Sequence, residues 1–172
     1  MTPQNQNYYW VLPQQLIAGQ YPLAANSADA RRNVRFLMEL GVTFFLDLTE
    51  EGEKDLYPYA LVLEEAAESL GVAADYRRVP IVDFGTPTIQ KMEETLGHIN
   101  NALDNRQMVY VHCFAGIGRT GTVIGCYLVE NGFSGEESLK ELVRLQRGTR
   151  FEGSTSILTY AQKAMLRTWN AR

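Results

Sequence analysis

The sequence predicts a single α/β domain spanning residues 1–172, with a mostly parallel central sheet flanked by helices. Three observations carry this. Short β-rich apolar runs alternate along the chain with stretches of helical period. The 172 residues suit one hydrophobic core, and a hydrophobic content of 45% is enough to fill it. No internal repeat, low-complexity tract or linker interrupts the alternation.

Taken in order, residues 1–10 are expected to include a loose polar segment, with Tyr8, Tyr9 and Trp10 covering a core edge. Leu16 to Gly19 reads as a short strand before a Tyr-Pro turn. Ser27 is expected to cap a helix that turns Val34, Leu37 and Met38 inward and stops at Gly41. Val42 to Leu48 is β-rich and nearly all apolar, as a strand covered on both faces should be. Tyr59, Leu63, Ala66 and Leu70 recur at helical spacing before Gly71, and Asp75 to Val82 reads as a strand. Thr86-Pro87 should open the next helix, with Pro87 at its first position and Ile89, Met92, Leu96, Ile99 and Leu103 on one face. Met108 to His112 is a short buried strand. Gly118 to Glu130 is apolar on most sides, so a central helix is expected. Ser134 and Glu137 form a capping box for a helix that buries Leu139, Leu142 and Val143. Thr155 to Trp169 reads as a last helix, and this helix-rich third should pack on one face of the sheet.

The net charge of −4 supplies no basic field to hold nucleic acid or an anionic membrane, so any anion site must be local. Two cysteines, Cys113 and Cys126, are too few for a disulfide scaffold. No basic-then-apolar leader opens the sequence, and no run approaches the roughly 20 apolar residues of a membrane span. A cytoplasmic monomer with reduced thiols is the expectation.

The chemistry concentrates in His112-Cys113-Phe114-Ala115-Gly116-Ile117-Gly118-Arg119-Thr120-Gly121, between a strand and a helix. In such sheets ligands sit beyond the carboxyl ends of strands. The glycines let the backbone curl so that several N–H groups point inward, and the helix adds its positive end. Arg119 adds a planar fork suited to two phosphate oxygens. Together these describe a site for a tetrahedral dianion. The same field stabilises a thiolate, so Cys113 is expected to be a nucleophile that attacks phosphorus without an adjacent base.

This segment resembles the signature loop of the cysteine-dependent protein tyrosine phosphatase superfamily: His-Cys, five residues, Arg, then Ser or Thr. Its Ala-Gly-x-Gly-Arg-Thr-Gly core is similar to the dual-specificity phosphatase branch. The resemblance implies that Cys113 is the nucleophile and Arg119 the phosphate clamp. Thr120 would donate its hydroxyl to the thiolate, and His112 would order the loop. The amides of Phe114, Ala115, Gly116, Ile117 and Gly118 would bind phosphate oxygens. No metal or other cofactor is implied. A carboxylic acid must protonate the leaving oxygen. Asp83 is the best candidate, 30 residues before Cys113 in a glycine-containing loop after a strand; Asp47 is the rival.

Competing readings are weaker. Gly116-x-Gly118-x-x-Gly121 formally matches a dinucleotide fingerprint, but no second strand with an acidic residue follows, and there is no Gly-Lys-Ser/Thr. Cys113 as a buried small hydrophobe would leave the arginine, glycines and histidine in register by accident. Cys126, inside an apolar helix, is core; a redox or arsenate-type thiol enzyme would need a better-placed resolving cysteine. His98 reads as a surface residue, and two His with two Cys at these spacings fit no zinc pattern. Arg77, Arg78, Arg147 and Arg150 read as a solvated basic edge, and Glu50, Glu51 and Glu53 as a solvated turn. The expected activity is hydrolysis of phosphotyrosine, and of phosphoserine or phosphothreonine, through a phosphocysteine. The alternatives are a phosphatase of inositol phosphates or other small phosphomonoesters, and a phospho-binding pseudophosphatase. The apolar variable positions Phe114, Ala115 and Ile117 disfavour polyanionic inositides.

Overall fold

The computed structural model describes residues 7–22 and 27–170. Five strands form one sheet: β1 Tyr8–Leu12, β2 Leu16–Gln20, β3 Val42–Asp47, β4 Asp75–Arg78 and β5 Met108–Cys113. Their order is β1-β2-β5-β3-β4, with β1 antiparallel to β2 and every other pairing parallel. Among the described residues six α-helices cover the sheet: α1 Ser27–Glu39, α2 Ala60–Leu70, α3 Ile89–Asp104, α4 Gly118–Glu130, α5 Gly135–Gln146 and α6 Tyr160–Thr168.

The pleat of β5 divides two apolar layers. Val109, Val111 and Cys113 join the layer built with α3, α4, α5 and α6. Met108 and Tyr110 join the opposite layer, under α1 and α2. The expected one-sided C-terminal third is therefore present, and α4 runs through the larger layer almost wholly buried. The capping box at Ser134 and Glu137 forms as read, as does the left-handed stop at Gly71.

Several expectations need correction. Residues 8–10 are not loose: the aromatic, β-favouring Tyr8 and Tyr9 are buried in an edge strand against β2. The strand after Asp75 ends at Arg78; beyond it the Val79 and Ile81 amides still bond to Asp47 and Leu48, while Pro80 has no N–H to offer. Helix α3 starts at Ile89, capped by Thr88 Oγ1 accepting from the Lys91 N–H, so Pro87 lies outside it. Ile89 and Val143 are exposed, at the edges of their apolar stripes. The last helix begins later than Thr155. A 3-10 turn over Ser154–Ile157 breaks at Leu158, and Thr159 with Gln162 forms a second capping box for α6. The cap expected from the Ser27 side chain lies outside the described part of the chain. Among the described residues no helix is long and apolar enough to cross a membrane.

Candidate active site

Strand β5 lies between β2 and β3, and its end carries the motif into the loop before α4. The loop is seated by backbone contact. Gly116 has φ +74°, and a Cβ there would come within 2.4–2.6 Å of Gly19 and Gln20 backbone atoms. Tyr21 donates its N–H to the Phe114 carbonyl. The N-cap position of α4, Ile117, supplies no side-chain cap. Among the described residues no bond is made to the N–H groups of residues 114–118, so this run of donors is free for a ligand.

A cavity of about 220 Å³ opens at this loop. Cys113, Arg119 and Asp83 line it, with Phe114, Ala115, Ile117 and Gly118 from the loop itself. Lys54 and Gln162 supply further polar walls, and the exposed Phe84 and Ile157 form an apolar rim. Gly116 is seated against the backbone of β2.

Arg119 is 2% exposed and grips Glu53 with both arms, at 2.6 and 2.7 Å. It also donates to the Ile81 carbonyl at 3.0 Å and stands 3.2 Å from Asp83 Oδ1. Burial works against the guanidinium charge, but Glu53, Cys113 and Asp83 together outweigh it and the pKa stands above the ordinary value. Glu53 is therefore not part of a solvated turn. Gly52 in the left-handed region and a 3-10 turn over Glu53–Asp55 bring it inward, where Arg119 holds its pKa below the usual carboxylate value. Lys54, with φ +51°, places Nζ 2.6 Å from Asp83 Oδ2 and over the Phe114 ring. Burial tends to raise the Asp83 pKa, but Lys54, Arg119 and the Phe84 amide hold it below the ordinary value.

His112 points to the other face of the sheet. Its ring shares a 2.6 Å hydrogen bond between Nε2 and the Tyr59 hydroxyl, with Tyr21 and Tyr110 packed against it. Burial lowers its pKa, opposed by the Asp47 carboxylate and the Cys113 backbone. Asp47 is fully buried and accepts from the Thr49 amide and hydroxyl and from Tyr76, so it is walled off from the cavity. Thr120 Oγ1 is buried with no hydrogen-bond partner, so the hydroxyl–sulfur bond implied by the resemblance is not formed here. Burial pushes the Cys126 thiol up within α4. Arg78 pairs with Asp47 and Arg150 with Gln20 and Asn7, and none of the four expected edge arginines lines the cavity. Among the described residues no His, Cys, Asp and Glu side chains group in a metal-holding arrangement.

The sequence reading missed Glu53, Lys54, Gln162 and the Tyr59–His112 bond. Glu53 and Lys54 follow the carboxyl end of β3, the right edge of the sheet for a ligand, and that position was the available signal. For Gln162 the available signal was the Thr159-x-x-Gln162 pattern, which a single helix read from Thr155 passes over.

Comparison with known proteins agrees with this geometry. Residues 20–133 match a family described as "Polymorphic toxin system, DSP-PTPase phosphatase". The Arabidopsis thaliana protein "Phosphatidylinositol 3,4,5-trisphosphate 3-phosphatase and protein-tyrosine-phosphatase PTEN1" is 29% identical over 114 residues, covering 65% of this chain and 27% of that protein. Across four curated relatives the chain spans 27–62% of their lengths. Among solved structures, PTPMT1 in complex with PI(5)P superposes with a TM-score of 0.72 at 20% identity, covering 95% and 94% of the two chains. Tk-PTP in its active form gives 0.70 at 23% identity, covering 98% and 99%. With the fold shared and the family matched over most of its length, the chain belongs to the DSP-PTPase family, among the cysteine-based tyrosine and dual-specificity phosphatases.

Proposed function

We propose that this phosphatase hydrolyses phosphomonoesters in two steps through a phosphocysteine at Cys113. The observation that carries the reading is one cavity lined by Cys113, the buried Arg119 and a loop whose N–H groups make no other bond among the described residues. The phosphate dianion sits on the amides of residues 114–118 and on Arg119. Cys113 Sγ attacks phosphorus, the bond to the ester oxygen breaks, and Asp83 gives that oxygen a proton. Water then attacks the phosphocysteine, returning its proton to Asp83 and freeing the thiolate, with Thr120 Oγ1 as donor to the departing sulfur. Arg119 and the amides hold the equatorial oxygens throughout. His112, locked by Tyr59, fixes the strand end.

Two features explain how Asp83 reaches its protonated form despite its lowered pKa in the empty site. An arriving dianion competes with its carboxylate for Arg119, and the added negative charge favours the protonated acid. The proposed substrates are phosphotyrosine, phosphoserine and phosphothreonine side chains. The apolar rim of Phe84, Ile157, Phe114 and Ile117 favours an aryl group over a polyanionic ring. Small phosphomonoesters are the second reading, favoured by the likeness to a fold that binds PI(5)P in PTPMT1. The enzyme is proposed to act as a cytoplasmic monomer, where Cys113 stays reduced.

Reduced protein should release p-nitrophenol from p-nitrophenyl phosphate, and Cys113→Ser should abolish release while still binding phosphate. Wild-type protein that binds phosphate without turnover would be a phospho-binding module instead. A panel of phosphotyrosine, phosphothreonine and inositol-phosphate substrates separates the two substrate readings.

A further inference from the structure

We propose that Gln162 is a positioning residue that holds the turn bearing Asp83 over the phosphate loop. The inference rests on the reading of Asp83 as the acid. Gln162 is 1% exposed, on the first turn of α6. Its Nε2 donates to the Gly85 carbonyl at 3.1 Å, and its Oε1 accepts from the Thr159 N–H at 3.0 Å. The same amide lies against Gly118, where an added Cβ would meet Nε2 at 3.0 Å. One side chain thus touches the end of the phosphate loop and the turn that carries the acid.

That turn has little else to hold it. Val82 and Phe84 are 64% and 73% exposed, and Phe84 sits at φ +59°. Its internal bonds run from Gly85 N–H to the Val82 carbonyl and from Phe84 N–H to Asp83 Oδ1. Among the described residues, three side chains tie residues 82–85 to the rest of the protein by polar contacts. Lys54 and Arg119 do so through the Asp83 carboxylate. Gln162 does so through the Gly85 carbonyl. The first two ties use the group that must protonate and swing toward the leaving oxygen, and the bound dianion takes Arg119. The Gln162 tie survives both events. Proton transfer needs the acid within hydrogen-bond reach of the ester oxygen, so a tether two residues from Asp83 is worth rate.

Leaving groups test this. Protonation matters for phenyl phosphate and little for 2,4-dinitrophenyl phosphate, whose phenolate leaves unaided. Gln162→Met removes both bonds. Gln162→Glu keeps an acceptor for the Thr159 N–H, so α6 keeps its cap and only the donor to Gly85 goes. Both variants, with Asp83→Asn and the cap control Thr159→Ala, are compared by kcat/KM on the two esters, which reports the step that expels the leaving group and not the later hydrolysis of the phosphocysteine. We expect each Gln162 variant to lose about tenfold or more on phenyl phosphate and less than about threefold on 2,4-dinitrophenyl phosphate, within the ~10²–10⁴-fold that general acid catalysis supplies. Thr159→Ala should lower the unfolding midpoint and leave the ratio of the two rates unchanged. Gln162→Met in the Asp83→Asn background should cost little more than Asp83→Asn alone. Equal losses on both esters, no loss, or full additivity with Asp83→Asn would overturn the tether while Asp83 remained the acid. An Asp83→Asn variant with no leaving-group dependence would overturn the acid reading itself, and the tether with it.

Discussion

Replacing Glu53 by Gln keeps the side chain's size and removes its charge from beside a buried guanidinium. In the native site both Arg119 arms meet carboxylate oxygens, at 2.6 and 2.7 Å. An amide offers one acceptor and turns an N–H₂ toward the other arm. One charge-assisted bond is lost, worth about 1.5–3 kcal/mol, and a donor faces a donor. Removing a partner from a fully buried pair costs about 3–5 kcal/mol. Here the cost is smaller, because Asp83 stays 3.2 Å from Arg119 and the Ile81 carbonyl still accepts from it. We expect a loss of about 2–3 kcal/mol, which for a domain of this size lowers Tm by roughly 4–12 °C. Urea unfolding measures it directly: the midpoint falls and the slope stays constant. The control is Glu65→Gln, which breaks the Arg31–Glu65 pair at 2.9 Å between side chains 54% and 56% exposed. Water and salt screen such an exposed pair, so its loss should be small. If the two variants lost the same stability, the claim that burial gives the Arg119–Glu53 pair its strength would be wrong.

Three other outcomes follow from the same geometry. Gly116→Ala meets both a left-handed φ and backbone atoms at 2.4–2.6 Å, so it should cost about 2–4 kcal/mol in urea unfolding and disrupt phosphate binding. His112 has a folded pKa below its unfolded value near 6.5, so the unfolded state binds the extra proton in between. Stability should therefore rise with pH up to about 6.5 and be lost as pH falls below it; His112→Gln, followed by urea midpoints across pH, should flatten that slope. Lys54→Met removes a cation that lowers the Asp83 pKa, so the falling limb of the kcat/KM profile should move to higher pH; an unmoved limb would separate Lys54 from the titration of the proposed acid.

The spacing of His112, Cys113 and Arg119 with the glycines between them was legible in the sequence because it is local. A strand, a tight loop and a helix start lie within ten residues, and backbone sterics alone restrict what they can form. The same holds for Ser134 with Glu137, whose reciprocal cap spans three residues. Asp83 was legible only as a carboxylate after a strand, and the fold then separated it from Asp47 by burying the latter under Thr49 and Tyr76.

Glu53 shows what a linear reading lacks. It lies 66 residues from Arg119, inside an acidic run that a solvent-facing turn would also carry. A charged side chain is buried only where a partner meets it, and the partner's position depends on strand order. Pairing β3 directly beside β5 brings the loop after one to the loop after the other. Gln162 and Tyr59 followed the same logic, each reaching the site from a helix packed on a different face of the sheet. The sequence by itself determined the proposed nucleophile and the loop around it, because a dozen neighbouring residues encode them. Tertiary structure alone decided which charges and amides surround that cradle, because those contacts join segments whose separation no local period records.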